Sequence, residues 1–335
     1  VGLRQRRAAQ GEPKAYLAFH RRADIRKQSS SGGLFYALAG NVLAKGGAVY
    51  GAALDETFCV RHIRAASEAD VRRLMASKYV QSDLGAVYAP MLEDLKAGVP
   101  VLFCGTPCQV GAMRRFVRQI PENQPLFADF VCHGVPSPEV WQSYLRYLRR
   151  KGGIASVQFR SKEKGWHDYH FAVQYRVGKR RAHSHERDPY MRAFLSNRNL
   201  RPSCYACAWK GDRSEADITL ADAWKIEKEY PAWADDRGTS LLLVHTEQGA
   251  AACGEMAAQV AMRETDCGQW REWNPSMVRT APVPAGRRVF FRAFLASETV
   301  AFWRRQSRMP LKMRARCLLK AIARKAGLSR VLRRL

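Results

Sequence analysis

An α/β fold, passing to α+β in its second half, is what this sequence predicts: mixed sheets flanked by helices, with a C-terminal basic helical tail. Three observations carry that expectation. The continuous apolar run 99–104, bounded by Pro100 and Gly105, reads as a buried strand, and 126–131 as another. Helical patterns at 110–119 and 138–151 follow them, so strand and helix alternate. Beyond Met309, the residues Leu311, Ala315, Leu318, Leu319, Ile322 and Ala326 fall at helical spacing, with Lys312, Arg316, Lys320 and Arg324 on the other side.

The remaining elements follow in order. Residues 1–28 form a basic lead-in with one short strand at 15–19. Ser29-Ser30-Ser31-Gly32-Gly33 opens a helix over 34–45, and Gly46-Gly47 closes it before a strand at 48–54. Helical stretches are expected at 71–76 and 88–97. In the second half, 154–160, 169–177, 218–220 and 240–245 read as strands with irregular connections. The expected organisation is a lead-in at 1–28, a main domain at 29–295 with a sub-boundary near 151, and a tail at 296–335.

Composition narrows the function classes. Of the 335 residues, 47% are hydrophobic, enough for a sizeable core. Nine cysteines, an odd count, follow no apolar leader, so a reducing cytoplasm with thiol or metal chemistry fits better than a secreted disulfide scaffold. The chain begins on Val1, as expected of a fragment or a non-standard start. No run of 18 apolar residues is present to span a membrane. Of the net charge of +26, residues 286–335 supply +14 through fifteen basic residues and the single acid Glu298, which leaves +12 elsewhere. Aromatics are not interleaved with these cations and no nucleic-acid module is visible, so no nucleic-acid partner is expected. A basic amphipathic helix within 309–335 suits peripheral contact with an anionic inner membrane face.

Four cysteines hold most of the chemical information. Cys204-Tyr205-Ala206-Cys207 is a chelate pair, in which a two-residue gap lets both sulfurs turn toward one metal. Cys108 follows Thr106-Pro107 at a strand end, and Cys132 closes a strand before His133-Gly134. Strand ends gather at one edge of an open α/β sheet, which makes Cys108 and Cys132 expected neighbours. Spacing alone leaves three readings open: an iron–sulfur cluster, a zinc site, or buried unpaired thiols. Cys104 reads as core, and Cys59, Cys253, Cys267 and Cys317 as structural. The Ser29–Gly33 segment lets backbone amides approach an anion at a helix N-terminus, or serves as a plain serine cap. Lys78, in Ser77-Lys78-Tyr79-Val80-Gln81-Ser82, suits a phosphate or the charge of a reduced flavin, against a solvated lysine. Backbone amides of Gly105-Thr106-Pro107 suit a flavin ring or phosphate, against an ordinary strand–helix turn. His133, beside Cys132, is placed to tune a metal centre, and His167 or His170 to transfer protons, against exposed loop histidines.

The order of these motifs is more specific than any one of them. Ser30-Ser31-Gly32-Gly33, the 77–82 segment, Gly105-Thr106-Pro107-Cys108-Gln109, Cys132-His133-Gly134-Val135-Pro136-Ser137, Ser203 to Cys207 and Asp217-Ile218-Thr219 succeed one another. Gly238-Thr239-Ser240 and Asn274-Pro275-Ser276 complete the pattern. From about 15 to about 294, the chain resembles the coenzyme F-420 hydrogenase/dehydrogenase beta-subunit family. Its fuller segment at 132–137 resembles a bacterial branch that accompanies polysaccharide synthesis.

The resemblance implies an oxidoreductase with FAD and a 4Fe–4S cluster. It implies Cys108, Cys132, Cys204 and Cys207 as cluster ligands. It places Ser31, Gly32, Gly33, Lys78, Gly105, Thr106 and Pro107 near the flavin. Lys78 and His133 are the candidate catalytic side chains. The substrate is a small molecule, with coenzyme F-420 and a cell-surface polysaccharide precursor as the candidates. Two departures stand out. No cysteine precedes Cys59, so the family's ferredoxin-like segment is absent or lost with the start, and a separate ferredoxin-like carrier is expected. Where the family continues Gly-Asp-Phe-Trp-Gly, this chain has Ala221-Asp222-Ala223-Trp224-Lys225, which puts ligand approach there in doubt. The alternative is a zinc-stabilised, non-catalytic basic binding protein at an anionic membrane surface.

Overall fold

The structure, a computed structural model, describes residues 12–120, 123–211 and 213–325. The first eleven residues of the lead-in and the tail from 326 onward lie outside the described residues. The strands are β1 (Lys14–His20), β2 (Ala48–Leu54), β3 (Val60–Ala65), β4 (Val101–Gly105), β5 (Leu126–Phe130), β6 (Ile154–Ser161), β7 (His170–Tyr175), β8 (Arg181–Ser184), β9 (Ile218–Asp222), β10 (Ser240–Val244) and β11 (Val260–Thr265). The first six helices are α1 (Ala23–Gln28), α2 (Leu34–Ala44), α3 (Glu68–Leu74), α4 (Tyr88–Lys96), α5 (Pro107–Phe116) and α6 (Pro138–Arg149). The others are α7 (Pro189–Leu195), α8 (Glu247–Glu255), α9 (Cys267–Trp273), α10 (Gly286–Ala296), α11 (Thr299–Ser307) and α12 (Leu311–Lys325).

The expected mixed α/β class is what the chain adopts. An eight-stranded sheet runs β11-β1-β10-β9-β5-β4-β2-β3, and a second sheet runs β6-β7-β8. Strands β2, β4, β5 and β9 are mutually parallel, while β10, β1, β11 and β3 pair antiparallel at the flanks. The main sheet therefore draws strands from both sides of residue 151.

Alternation along the central strands covers both faces. Leu102 and Ala128 point into one cluster with α2 and α8, whereas Phe103 and Phe127 point into another with α4 and α5. The second sheet packs on α6, whose Ser137 cap accepts from the Glu139 amide at 3.2 Å and whose Pro138 opens the first turn. Val140, Trp141, Tyr144, Leu145 and Leu148 fall on its buried stripe.

Parallel pairing fixes where ligands approach. Strands β2, β4, β5 and β9 end at one edge of the sheet, and the loops after β1 and before β10 return to that same edge. The 29–33, 105–108, 131–137, 222–225 and 237–240 segments all lie along it. Among the described residues, no helix is long and apolar enough to cross a membrane.

Candidate functional site

Cys108 and Cys132 sit just beyond the ends of neighbouring parallel strands, β4 and β5. Cys108 lies in the first turn of α5, where Thr106 and Gln109 form a reciprocal capping box and Pro107 occupies the first position. The Thr106 hydroxyl lies 3.1 Å from the Cys108 sulfur. Beyond Cys132 the chain runs against residues 199–201. Pro136 bridges to Leu200, the Arg201 amide donates to Val135 O at 2.9 Å, and the Cys204 amide donates to Arg201 O at 3.0 Å. Gly134 makes that approach feasible: its φ is 137°, and a Cβ there would stand 2.9 Å from Leu200 Cδ1 and 3.3 Å from Cys204 Cβ. A second contact ties the Cys204–Cys207 loop to α5. Trp209 lies across Gly111, one helical turn after Cys108, and stacks on Arg115 at 5.1 Å.

The four thiols share one electrostatic neighbourhood. Burial pushes the Cys132 pKa up to about 12; the nearby Lys210 ammonium opposes this, and Cys108 and Cys204 add to it. Cys204 is also raised, first by burial, with Cys108 and Cys207 adding to the shift and an amide hydrogen bond opposing it. The donor set is all sulfur: His133 turns away, its Nε2 2.6 Å from Asn197 Oδ1 and its Nδ1 3.4 Å from Ser276 Oγ. Burial lowers the His133 pKa, so the ring is neutral. Lys210 donates to Cys132 O and, at 2.7 Å, to Ser276 O. Among the described residues no three His, Cys, Asp or Glu side chains stand close enough for a single metal ion. Four soft donors along one edge, Cys108 exposed and the other three partly buried, with a cation beside Cys132, fit a sulfur-ligated cluster in donor chemistry.

The residues assigned to a flavin fall into two groups on the same edge. In the first, Ser31 Oγ donates to Thr239 O at 2.9 Å, and the Gly32 amide donates to Ser240 Oγ at 2.9 Å. A Cβ on Gly32 would meet Ala18 O at 2.5 Å, so this glycine is demanded by strand packing. Gly33, with φ 91°, is the N-cap of α2, which has neither a side-chain cap nor an acid in its first turn. Ser30 and Ser77 share a hydroxyl contact of 2.7 Å, which joins this loop to the Lys78 segment. Lys78 directs its ammonium at Arg73 O (3.0 Å), Leu74 O (2.7 Å) and Met75 O (2.7 Å). It thereby closes the end of α3, and all three of its N–H groups are occupied. Burial pushes its pKa down to about 7.

In the second group, Gly105 ends β4, the Thr106 amide donates to Gln109 Oε1 at 3.0 Å, and Pro107 has no N–H. Gln109 Nε2 reaches Ser82 Oγ at 2.8 Å and links this turn to the 77–82 segment. Lys225, at a glycine position of the resembled pattern, still adopts a left-handed φ of 62°. Before it, Asp222 pairs with buried Arg160 at 2.8 Å, and Trp224 stacks on Trp166 at 4.7 Å. His167 Nδ1 lies 2.8 Å from Asp236 Oδ1, and His170 Nδ1 lies 2.8 Å from Asp168 O.

Four residues of the site escape sequence reasoning: Gly111, Trp209, Asn197 and Lys210. A tryptophan and lysine two and three residues after a cysteine pair were a usable signal. Gly111 and Asn197 carried none, because their partners are remote in sequence.

Residues 99–267, half of the chain, match the family described as the C terminus of the coenzyme F420 hydrogenase/dehydrogenase beta subunit. No curated protein matches. Among solved structures, the fold is similar to a chain of the F420-reducing NiFe hydrogenase complex from Methanosarcina barkeri. The TM-score is 0.56 and the identity 15%, over 88% of this chain and 96% of that one.

Proposed function

The chain belongs to the coenzyme F-420 hydrogenase/dehydrogenase beta-subunit family, whose members are oxidoreductase components, and from that premise we propose that it is an FAD- and 4Fe–4S-dependent oxidoreductase. The observation that supports this reading is the placement of Cys108 and Cys132 just beyond neighbouring parallel strands, with the Cys204–Cys207 loop packed against the 134–136 segment and α5, at the sheet edge where the Ser31–Gly33 and Gly105–Pro107 segments also lie. When bound, a flavin supplies two-electron chemistry with its substrate and a cluster supplies one-electron transfer.

The chain's own residues would divide the work as follows. The four cysteines would hold the cluster as thiolates, and the Lys210 charge would favour their ionised form. His133, neutral and held by Asn197 and Ser276, would tune the surroundings of Cys132 without ligating. The uncapped N-terminus of α2 would receive the flavin pyrophosphate on its leading amides. Lys78 would act by position and charge, since its N–H groups already close α3. Capping of α5 fixes Cys108 relative to Gly105, Thr106 and Pro107, and the 131–137 and 199–207 pairing would limit water at the partly buried Cys132. A small-molecule substrate, with coenzyme F-420 or a polysaccharide precursor as candidates, would exchange electrons with the flavin, and a separate ferredoxin-like carrier with the cluster. Free thiols suit a reducing cytoplasm.

Anaerobic purification followed by iron, sulfide, zinc and flavin analysis tests the proposal. The expected result is iron and sulfide in equal amounts, with bound flavin, and loss of the visible cluster absorbance in Cys204→Ser. Full iron content in Cys204→Ser refutes the ligand assignment. Zinc without iron or flavin replaces the whole reading with the zinc-stabilised alternative.

A further inference from the structure

Two features of the molecule involve none of the residues of the cysteine edge. The first is the outward face of α12. Leu311, Leu318 and Ile322 form one stripe with Leu319 beside it, and these side chains are 79, 61, 53 and 51% exposed. Four large aliphatic side chains in a row on a charged helix are a costly arrangement in water. The opposite side packs on the body: Ala323 is buried, Arg316 lies 3.8 Å from Glu186, and the Cys317 thiol lies 4.0 Å from the same carboxylate.

The second feature is a cavity of about 260 Å³ floored by Tyr144 and Phe171 and rimmed by Lys151, Arg181, His183 and Arg187. Lys151, Arg181 and Arg187 enter no ion pair among the described residues. Instead they repel one another: Arg181 adds to the burial that lowers the Lys151 pKa, and Lys151, Arg181 and Arg187 act likewise on His183. The acid in the wall, Asp188, is already engaged, accepting from the Tyr144 hydroxyl at 2.6 Å and the Met191 amide at 2.9 Å. Three cations and a histidine around a concave floor outnumber the single buried carboxylate of Asp188, which leaves a net positive cavity suited to an anion.

The two features adjoin. Glu186, which anchors α12, immediately precedes Arg187 of the rim, and Ser307 at the end of α11 also lines the cavity. We propose that the outward face of α12 and the neighbouring cation-rimmed cavity form one docking surface for an anionic phospholipid bilayer, with the leucine stripe entering the acyl boundary and the cavity receiving a headgroup phosphate. The charge balance of this end of the chain, fifteen basic residues against one acid over 286–335, singles out a lipid of that sign.

The test uses the full chain with vesicles of phosphatidylcholine alone, and with phosphatidylglycerol at about one part in three. The protein is expected to sediment with the anionic vesicles and not the neutral ones, and to be released by salt. Leu318→Asp with Leu319→Asp, on exposed positions that leave the core untouched, should weaken binding at least ten-fold with an unchanged circular dichroism spectrum. Arg181→Gln with Arg187→Gln should weaken it about twenty-five-fold, at roughly five-fold per surface cation. Neutralising Lys96 and Arg118, exposed residues of α4 and the segment after α5 that line neither feature, controls for bulk charge. Equal binding to both vesicle types overturns the proposal. So does an Arg181/Arg187 loss no larger than the control's. A parent protein that dimerises in solution and is made monomeric by the leucine pair assigns the stripe to a second copy instead. Iron and flavin content plays no part in the readout, so this test and that of the redox reading fail independently.

Discussion

Gly111→Ala separates helix propensity from site geometry. Gly111 is buried in the interior of α5, where alanine is the better helix former by about 1 kcal/mol. On propensity alone the substitution stabilises. The added Cβ, however, would stand 2.0 Å from Trp209 Cη2 and 2.5 Å from Cζ3. Carbon–carbon contacts relax near about 3.5 Å, so the indole must retreat by about 1.5 Å. Trp209 is half-buried and two residues beyond Cys207, so the retreat moves the Cys204–Cys207 loop away from Cys108. Overpacking costs about 1–3 kcal/mol and the propensity gain offsets part of it, which leaves a net loss of about 0–2 kcal/mol. The expected signature is therefore a small change in urea midpoint with a large drop in cluster iron per folded chain. Adding Trp209→Phe, which removes the clashing six-membered edge, should restore the iron. Gly111→Ala with full iron and unchanged visible absorbance would show that the docking of Trp209 on α5 does not set the position of the cysteine pair.

Three further outcomes follow from the same geometry. Lys210→Met removes the cation beside Cys132 and should shift the cluster's reduction potential negative, by on the order of tens of millivolts, while Lys210→Arg holds it; spectroelectrochemistry reads the shift. Lys225→Gly should raise stability by about 1 kcal/mol by relieving a non-glycine residue at φ 62°, measured by denaturant titration. His62 is buried, stacks on Phe103, donates to Cys104 O at 3.1 Å and has its pKa pushed down to about 4 by burial. As pH falls from about 6.5 to 4, the unfolded chain takes up a proton there that the folded chain refuses, so stability falls with acidification. His62→Gln, which keeps a donor for Cys104 O, should flatten the slope in that window by one proton, about 1.4 kcal/mol per pH unit.

What the sequence made legible was local. The strand at 99–104 is a continuous apolar run and that at 126–131 is apolar but for the buried Asp129, which accepts from Ser214 and Thr219; both are strands in the structure. The edge strand β3 was missed because its Val-Arg-His-Ile-Arg-Ala pattern mixes buried and exposed residues, and the buried histidine reads as polar. Helix α3 starts at Glu68, before the expected 71, because the Ser67 side chain caps it by accepting from Asp70 N at 3.2 Å. The neighbourhood of Cys108 and Cys132 followed from the parallel-strand rule. The approach of Cys204 to both did not, since it depends on the pairing of 135–136 with 200–201, across about 65 residues of chain that no local pattern spans. The split near 151 was drawn from a change in pattern, yet β9, β10 and β11 return to the first sheet.

The same locality explains why Lys78, in the polar and aromatic 77–82 segment, invites a phosphate when read from sequence. Lys78 directs its N–H groups at residues 73, 74 and 75, and Lys162 directs its own at Arg26 O (2.5 Å), Ser31 O (2.9 Å) and Arg237 O (2.7 Å). An ammonium has three donors, and in both cases backbone carbonyls take all three. Each lysine thus satisfies oxygens that a turn away from regular structure would leave orphaned beside the sheet edge. The result is a loop region held in place by its own cations before any ligand arrives, which lowers the ordering cost of binding. Lys78 belongs to the 77–82 segment and Lys162 touches Ser31 O of the 29–33 segment, so each brings positive charge to the edge in its protonated form, although burial pushes both pKa values down to about 7. An anion there would meet amide dipoles first and the two lysine charges at longer range, so Ser31, Gly32 and Gly33 would govern the geometry of binding, and Lys78 and Lys162 its strength.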